Sequence, residues 1–119
     1  MHSVAQTHAF LRAAKAAGLS EDDVNGLVSY LAENPTAGAE IPGTGGCRKL
    51  RIAGRGKGKS GGYRTITFYS GNDLPVFLLA VFGKGEKSTL TKAECNELKK
   101  MTKVLVNEYA KKVRKVETR

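Results

Sequence analysis

Apolar positions along this chain of 119 residues change their period twice. His2 to Gln6 suggests a short first strand. Thr7 then precedes AFLRAAKAAG, a stretch of good helix formers that Gly18 ends. Ser20 opens a second helix with Glu21, Asp22 and Asp23 in its first turn, and Ser20 and Asp23 have the spacing of a capping box. Val24, Leu27, Val28 and Leu31 recur at intervals of three and four, which gives that helix one apolar face. Asn34-Pro35 stops it. The period then falls to two. In CRKLRIA, Leu50 and Ile52 face one way while Lys49 and Arg51 face the other. GYRTITFY, rich in Thr, Tyr, Phe and Ile, reads as a second strand of this series. Ser70-Gly71-Asn72-Asp73 turns it into a hairpin with VFLLAVF, whose unbroken apolar run predicts a strand buried on both faces. From Leu90 to about Val116 a last helix carries Leu98, Met101, Leu105 and Tyr109 at helical spacing, with a lysine-rich polar face.

The predicted order is (β)ααβββα. It describes an α+β fold with helices packed on a mainly antiparallel sheet, in one domain over residues 1–119. With 40% hydrophobic and 26% charged residues the composition is that of a globular chain, not a disordered one. No apolar run reaches the length of a membrane helix, and the N-terminus lacks a signal-peptide pattern, so a soluble, cytoplasmic protein is expected. Cys47 and Cys95 have no CxxC spacing and are expected to be reduced thiols rather than metal or redox ligands.

Charge sharpens the picture. The formal net charge is +9, and it is unevenly spread. Residues 1–40 hold two basic and five acidic side chains, residues 41–73 seven and one, residues 74–119 eleven and five. No acid stands between Glu40 and Asp73, where Arg48, Lys49, Arg51, Arg55, Lys57, Lys59 and Arg64 accumulate. Such a run is either a solvated basic loop or a phosphate-binding surface.

Several familiar chemistries fail on this pattern. AGRGKGKS, residues 53–60, approximates a phosphate loop, but that loop opens a helix, and a strand is predicted here instead. Its Arg55, Lys57 and Lys59 read better as side chains reaching a phosphate backbone. His2 and His8 both lie in the acidic N-terminal part and form no triad or metal pattern. Acid–base work in the basic region would therefore fall to Lys, Arg or Tyr. Crowding cations around a lysine favours its neutral form, which can accept a proton. Lys49 and Arg51 stand about 7 Å apart on one strand face. Arg64 begins the next strand and Lys84 follows the third, so these four cations could converge on one phosphate.

Three segments carry a resemblance: GTGG-x-RK-x-R at residues 43–51, GKGK-x-GG-x-R at residues 56–64, and FGK-x-E-x-S at residues 82–88. Together they resemble the RelE/ParE superfamily of toxins from bacterial type II toxin–antitoxin modules, in particular its HigB-like branch. The similarity runs over nearly the whole chain. It implies a ribosome-dependent endoribonuclease that cuts messenger RNA in the decoding site and so inhibits translation. The RNA's own 2′-hydroxyl would attack the adjacent phosphate, with no metal and no cofactor. By resemblance the catalytic positions are Lys49, Arg51, Arg64 and Lys84. One of Lys49 and Arg51 would help remove the 2′-hydroxyl proton, and Lys49 is the better base because a guanidinium stays protonated. Arg64 would stabilise charge on the phosphate. Arg48, Arg55, Lys57, Lys59, Tyr63 and Lys87 are the expected RNA contacts. Tyr63 is equally readable as a base-stacking platform or as a sheet-packing residue.

The chain also departs from RelE. Gly85 stands where RelE has an arginine, and Ser88, Thr89 and Thr91 occupy the region of its base-stacking tyrosine. Partners implied are a cognate antitoxin, expected to be of helix-turn-helix type, and the ribosome with its messenger RNA. Two other functions fit the same composition: a ParE-like toxin acting on DNA gyrase, and a non-catalytic basic RNA-binding module. The expected behaviour of the loop is measurable. Arg55→Ala or Lys57→Ala each removes about one phosphate contact, so RNA affinity falls and the slope of log K against log salt shrinks by about one. An unchanged slope in an equilibrium binding titration would exclude that contact.

Overall fold

A computed structural model of the chain describes residues 3–53, 62–71, 74–83 and 90–117, with residue 53 and residues 110–117 described by backbone alone. Strand β1 (Val4–Gln6) leads into α1 (His8–Ala17) and α2 (Glu21–Glu33). A two-residue β2 (Ala39–Glu40) precedes β3 (Cys47–Ala53), β4 (Gly62–Phe68) and β5 (Val76–Gly83), and α3 (Lys92–Glu117) closes the fold. The expected order is present, with β2 in addition. After the glycine-rich loop the chain enters β4 at Gly62, a strand where a phosphate loop would open a helix.

Local chemistry explains the first boundaries. Thr7 Oγ1 accepts from the Phe10 N–H at 3.1 Å and donates to the Leu78 carbonyl at 2.8 Å, so one hydroxyl caps α1 and ties it to β5. Gly18 ends α1 in the left-handed conformation, φ 84°. Both bonds of the Ser20–Asp23 capping box form at the start of α2.

The sheet order is β1-β5-β4-β3-β2. Only β1 runs parallel to its neighbour β5; the other pairings are antiparallel. One face of the sheet carries Tyr63, Val76, Leu78 and Val81, buried with Phe10, Ala14, Leu27 and Leu31 of α1 and α2. The other face carries Cys47, Ile66, Phe68, Phe77 and Leu79, packed against Leu98, Met101, Leu105 and Tyr109 of α3. Helices therefore cover both faces, which is why β5 is apolar at every position from Val76 to Phe82.

Pairing slips once. Ile66 faces Ala80 while Thr67 faces Leu78, which leaves Leu79 as an extra residue in β5. The bulge inverts the alternation beyond it. Val81 turns to the face of α1 and α2, and Phe82 to the face of α3.

The β2–β3 corner depends on close backbone approaches. Gly38 has φ 95°, and a Cβ there would sit 2.5 Å from the Lys49 carbonyl oxygen. Gly45 has φ 80°, and its Cβ would lie 3.1 Å from Thr102 Oγ1 of α3. Between these glycines the fully buried Thr44 donates to the Ile41 carbonyl at 2.7 Å and accepts from the Cys47 N–H at 3.1 Å. Cys47 and Cys95 are both free thiols. Burial pushes the Cys47 thiol up from 9.0 to about 11, with the Thr44 hydrogen bond opposing and Cys95 adding to the rise.

That shift has a signed consequence. Between about pH 9 and 11 the folded chain holds a proton that the unfolded chain has lost. Its stabilising effect is complete below that window and disappears as pH rises through it. In urea unfolding, wild type should lose more stability than Cys47→Val between the two ends of the window. Equal losses would show that the thiol ionises as freely in the fold as outside it.

Candidate functional site

The pairing of β3 with β4 sets Arg51 directly opposite Arg64 and Lys49 opposite Ile66. All three cations lie on the face that α3 covers farther along, beyond the end of that cover. Paired residues in an antiparallel ladder have Cα atoms about 4.5–5.5 Å apart, so two guanidinium side chains rise from neighbouring positions. Lys49 and Arg51 are exposed and Arg64 is half-buried. With Ala39 and Leu50 these three line a hollow of about 230 Å³. Ala39 belongs to β2, so the short strand forms one wall.

Like charges directly opposite each other destabilise a sheet unless something offsets them. An anion seated between Arg51 and Arg64 does so, and a planar guanidinium fork suits phosphate oxygens. Lys49 adds a mobile ammonium on the same face. Chemically the hollow is suited to holding a phosphodiester and stabilising added negative charge on it.

The other expected site residues divide. Arg48 points to the opposite side of the sheet, where its Nη1 donates to the carbonyls of Thr36 and Gly38, both at 3.1 Å. It pins the segment after α2 onto β3 and does not join Lys49, Arg51 and Arg64. Tyr63 is buried among Phe10, Leu27 and Leu31. Of its two readings, the sheet-packing one matches this position, on the face away from the cations. Arg55, Lys57, Lys59, Lys84 and Lys87 lie outside the described residues. His8 opens α1, on the far side of the sheet from the hollow. Among the described residues no group of three His, Cys, Asp or Glu could hold a metal ion.

A second feature adjoins the hollow. Phe82 is the direct partner of Arg64, and Ala80 that of Ile66. These three apolar residues form the floor of a cavity of about 290 Å³ roofed by the first turns of α3. Nothing in the alternation of VFLLAVF announces it. Strict alternation would have turned Phe82 to the other face, and only the bulge at Leu79 brings it beside Arg64.

Among known families, the model of the RelE toxin of the RelE / RelB toxin–antitoxin system matches residues 2–119. The opposed roles of the neighbouring arginines are separable by stability. Arg48→Ala loses two charge-assisted hydrogen bonds at a partly exposed site and should cost about 1 kcal/mol in urea unfolding. Arg51→Ala removes one of two opposed cations and should leave the midpoint unchanged or raise it. A loss at Arg51 equal to that at Arg48 would mean that Arg51 too is a structural tie.

Proposed function

The chain belongs to the RelE toxin family, and from that premise we propose that it is a ribosome-dependent endoribonuclease cleaving messenger RNA at the hollow formed by Lys49, Arg51 and Arg64. RelE toxins act within toxin–antitoxin systems, so a cognate antitoxin is its partner. No helix among the described residues is long and apolar enough to cross a membrane. Ribosome and messenger RNA are the proposed targets, and the cytoplasm the proposed place of action.

One observation carries this reading: Arg51 and Arg64 are cross-strand partners, with Lys49 on the same face of the same hollow. In the proposed reaction the 2′-oxygen of one nucleotide forms a bond to the adjacent phosphorus, and the bond from phosphorus to the 5′-oxygen breaks. The products are a cyclic phosphate and a free 5′-hydroxyl. Lys49 takes the 2′-hydroxyl proton, since neither arginine can serve as a base. Arg64 and Arg51 hold the non-bridging oxygens, where charge grows as phosphorus becomes five-coordinate. Lys84, which directly follows β5 in the FGK segment, is the proposed proton donor to the leaving 5′-oxygen.

Binding and chemistry separate under mutation. Arg64→Ala should lower cleavage of ribosome-bound messenger RNA by on the order of 10²-fold or more while most ribosome affinity remains, because its contact strengthens in the transition state. Lys49→Ala should behave likewise and alter the pH profile of the residual activity. Primer extension on messenger RNA from translating extracts reads both. If these variants cut as well as wild type, the cationic face only docks the protein.

A further inference from the structure

Cys47 and Cys95 have no CxxC spacing in sequence, and the fold brings them to one interface. Cys95, Lys99, Thr102 and Val106 follow one another on α3 at intervals of four, three and four, so they share one face of the helix. Contacts fix where that face points. A Cβ on Gly45 would lie 3.1 Å from Thr102 Oγ1 and 3.5 Å from Lys99 Cγ, and Gly45, Phe68, Lys99, Thr102 and Val106 line a common groove. The face is therefore set against the corner that leads into β3. Cys47 opens β3 two residues after Gly45, fully buried, on the side that α3 covers.

Helix and strand run in opposite directions there. Tyr109 of α3 packs its ring edge-on against Phe77, near the start of β5, while Leu98 and Met101 line a cavity with Ala80 and Phe82, farther along that strand. β3 runs the same way as β5, since both are antiparallel to β4. A step forward along the chain from Gly45 therefore accompanies a step back along α3 from Lys99. Cys47 is the first of these steps; Cys95, one helical turn or about 6 Å before Lys99, is the second. Cys95 also acts on Cys47 electrostatically, adding to the upward push on its thiol. Cys95 is half-buried, so one sulfur of the pair is open to a small solute.

We propose that Cys47 and Cys95 form an oxidisable dithiol, which a peroxide closes into a disulfide between β3 and α3. Cys47 is fully buried and its Sγ donates to the Thr44 carbonyl at 3.8 Å, so Cys95 meets the peroxide first. The Cys95 sulfur attacks one oxygen of hydrogen peroxide, the O–O bond breaks, and water leaves with the thiol proton, giving a sulfenic acid. The Cys47 sulfur then attacks the Cys95 sulfur, the S–O bond breaks, and a second water leaves with the Cys47 proton. Two electrons pass from the pair of sulfurs to the peroxide. The new bond ties the strand that carries Lys49 and Arg51 to the first turn of α3, and it restricts the unfolded chain. In a reducing cytosol both groups stay thiols, and oxidation adds the staple. The inference stands apart from the reading of the chain as a ribonuclease.

The test exposes the whole reduced protein to hydrogen peroxide without denaturant. Wild type should lose the mass of two hydrogens, lose both alkylatable thiols and yield a tryptic peptide pair joined through Cys47 and Cys95. Dithiothreitol should restore both thiols. The urea midpoint should rise on oxidation and return on reduction. Cys95→Ser changes a half-buried helix position, and Cys47→Val keeps apolar bulk in the core; neither variant should form the joined pair or gain in midpoint. The dithiol is overturned if peroxide leaves both wild-type thiols alkylatable. It is overturned equally if Cys95 proceeds to a sulfinic acid with Cys47 still a thiol, or if the bond joins two copies of the chain on a non-reducing gel. A joined pair that appears only in urea also overturns it, since the folded interface would then not have brought the sulfurs together.

Discussion

The fold depends on covering β5 on both faces. Seven consecutive apolar residues, Val76 to Phe82, cannot be satisfied by helices on one side alone. α1 and α2 take Val76, Leu78 and Val81, and α3 takes Phe77, Leu79 and Phe82. Position along the sheet then decides chemistry. Under α3, the row of Cys47, Phe68 and Phe77 is dry core. Two steps along, Lys49, Ile66 and Ala80 form a row that is half core and half solvent. At the next, Arg51, Arg64 and Phe82, the cover is gone from the β3 side and cations can stand in water. The site is the place where a two-sided sheet loses one of its lids.

That arrangement sets two like charges against each other within the sheet. Arg51 and Arg64 oppose each other across the ladder, a pairing that a purely structural sheet would avoid. An anion held between the two guanidinium groups would offset their repulsion, and its binding would stabilise the fold. Arg48, one residue away, shows the contrast. Its guanidinium is spent on the carbonyls of Thr36 and Gly38, on the other face, and it contributes to the fold rather than to the hollow.

Much of this was legible in the residues. Period, caps and breakers located both N-terminal helices, the three long strands and α3, because each was announced by a local rule: Ser20 with Asp23, Gly18, the two-residue alternation of CRKLRIA. The same alternation placed Lys49 and Arg51 on one face. Non-local features were not legible. β2 is two residues long and gains its identity from hydrogen bonds to β3. Tyr63 and Arg64 are neighbours in sequence and part to opposite faces; which of them meets the cations follows from the register with β3. Phe82 depended on a single inserted residue in β5, a feature of pairing that no window of sequence contains.

Charge segregation completes the design. Acids collect at Glu21, Asp22 and Asp23, where they serve the start of α2, a helix packed on the face opposite the hollow. Residues 41–73 hold seven basic side chains against one acidic, so this stretch of the chain attracts a phosphate. The same imbalance bears on the antitoxin that membership of the family implies. A partner laying carboxylates over Arg51 and Arg64 would lower the repulsion between them and gain stability by doing so. A partner bound over α1 and α2 would meet an acidic helix start instead. The two modes differ in the charge each asks of the partner, and the separation of acidic and basic stretches along the chain is the physical reason that they do.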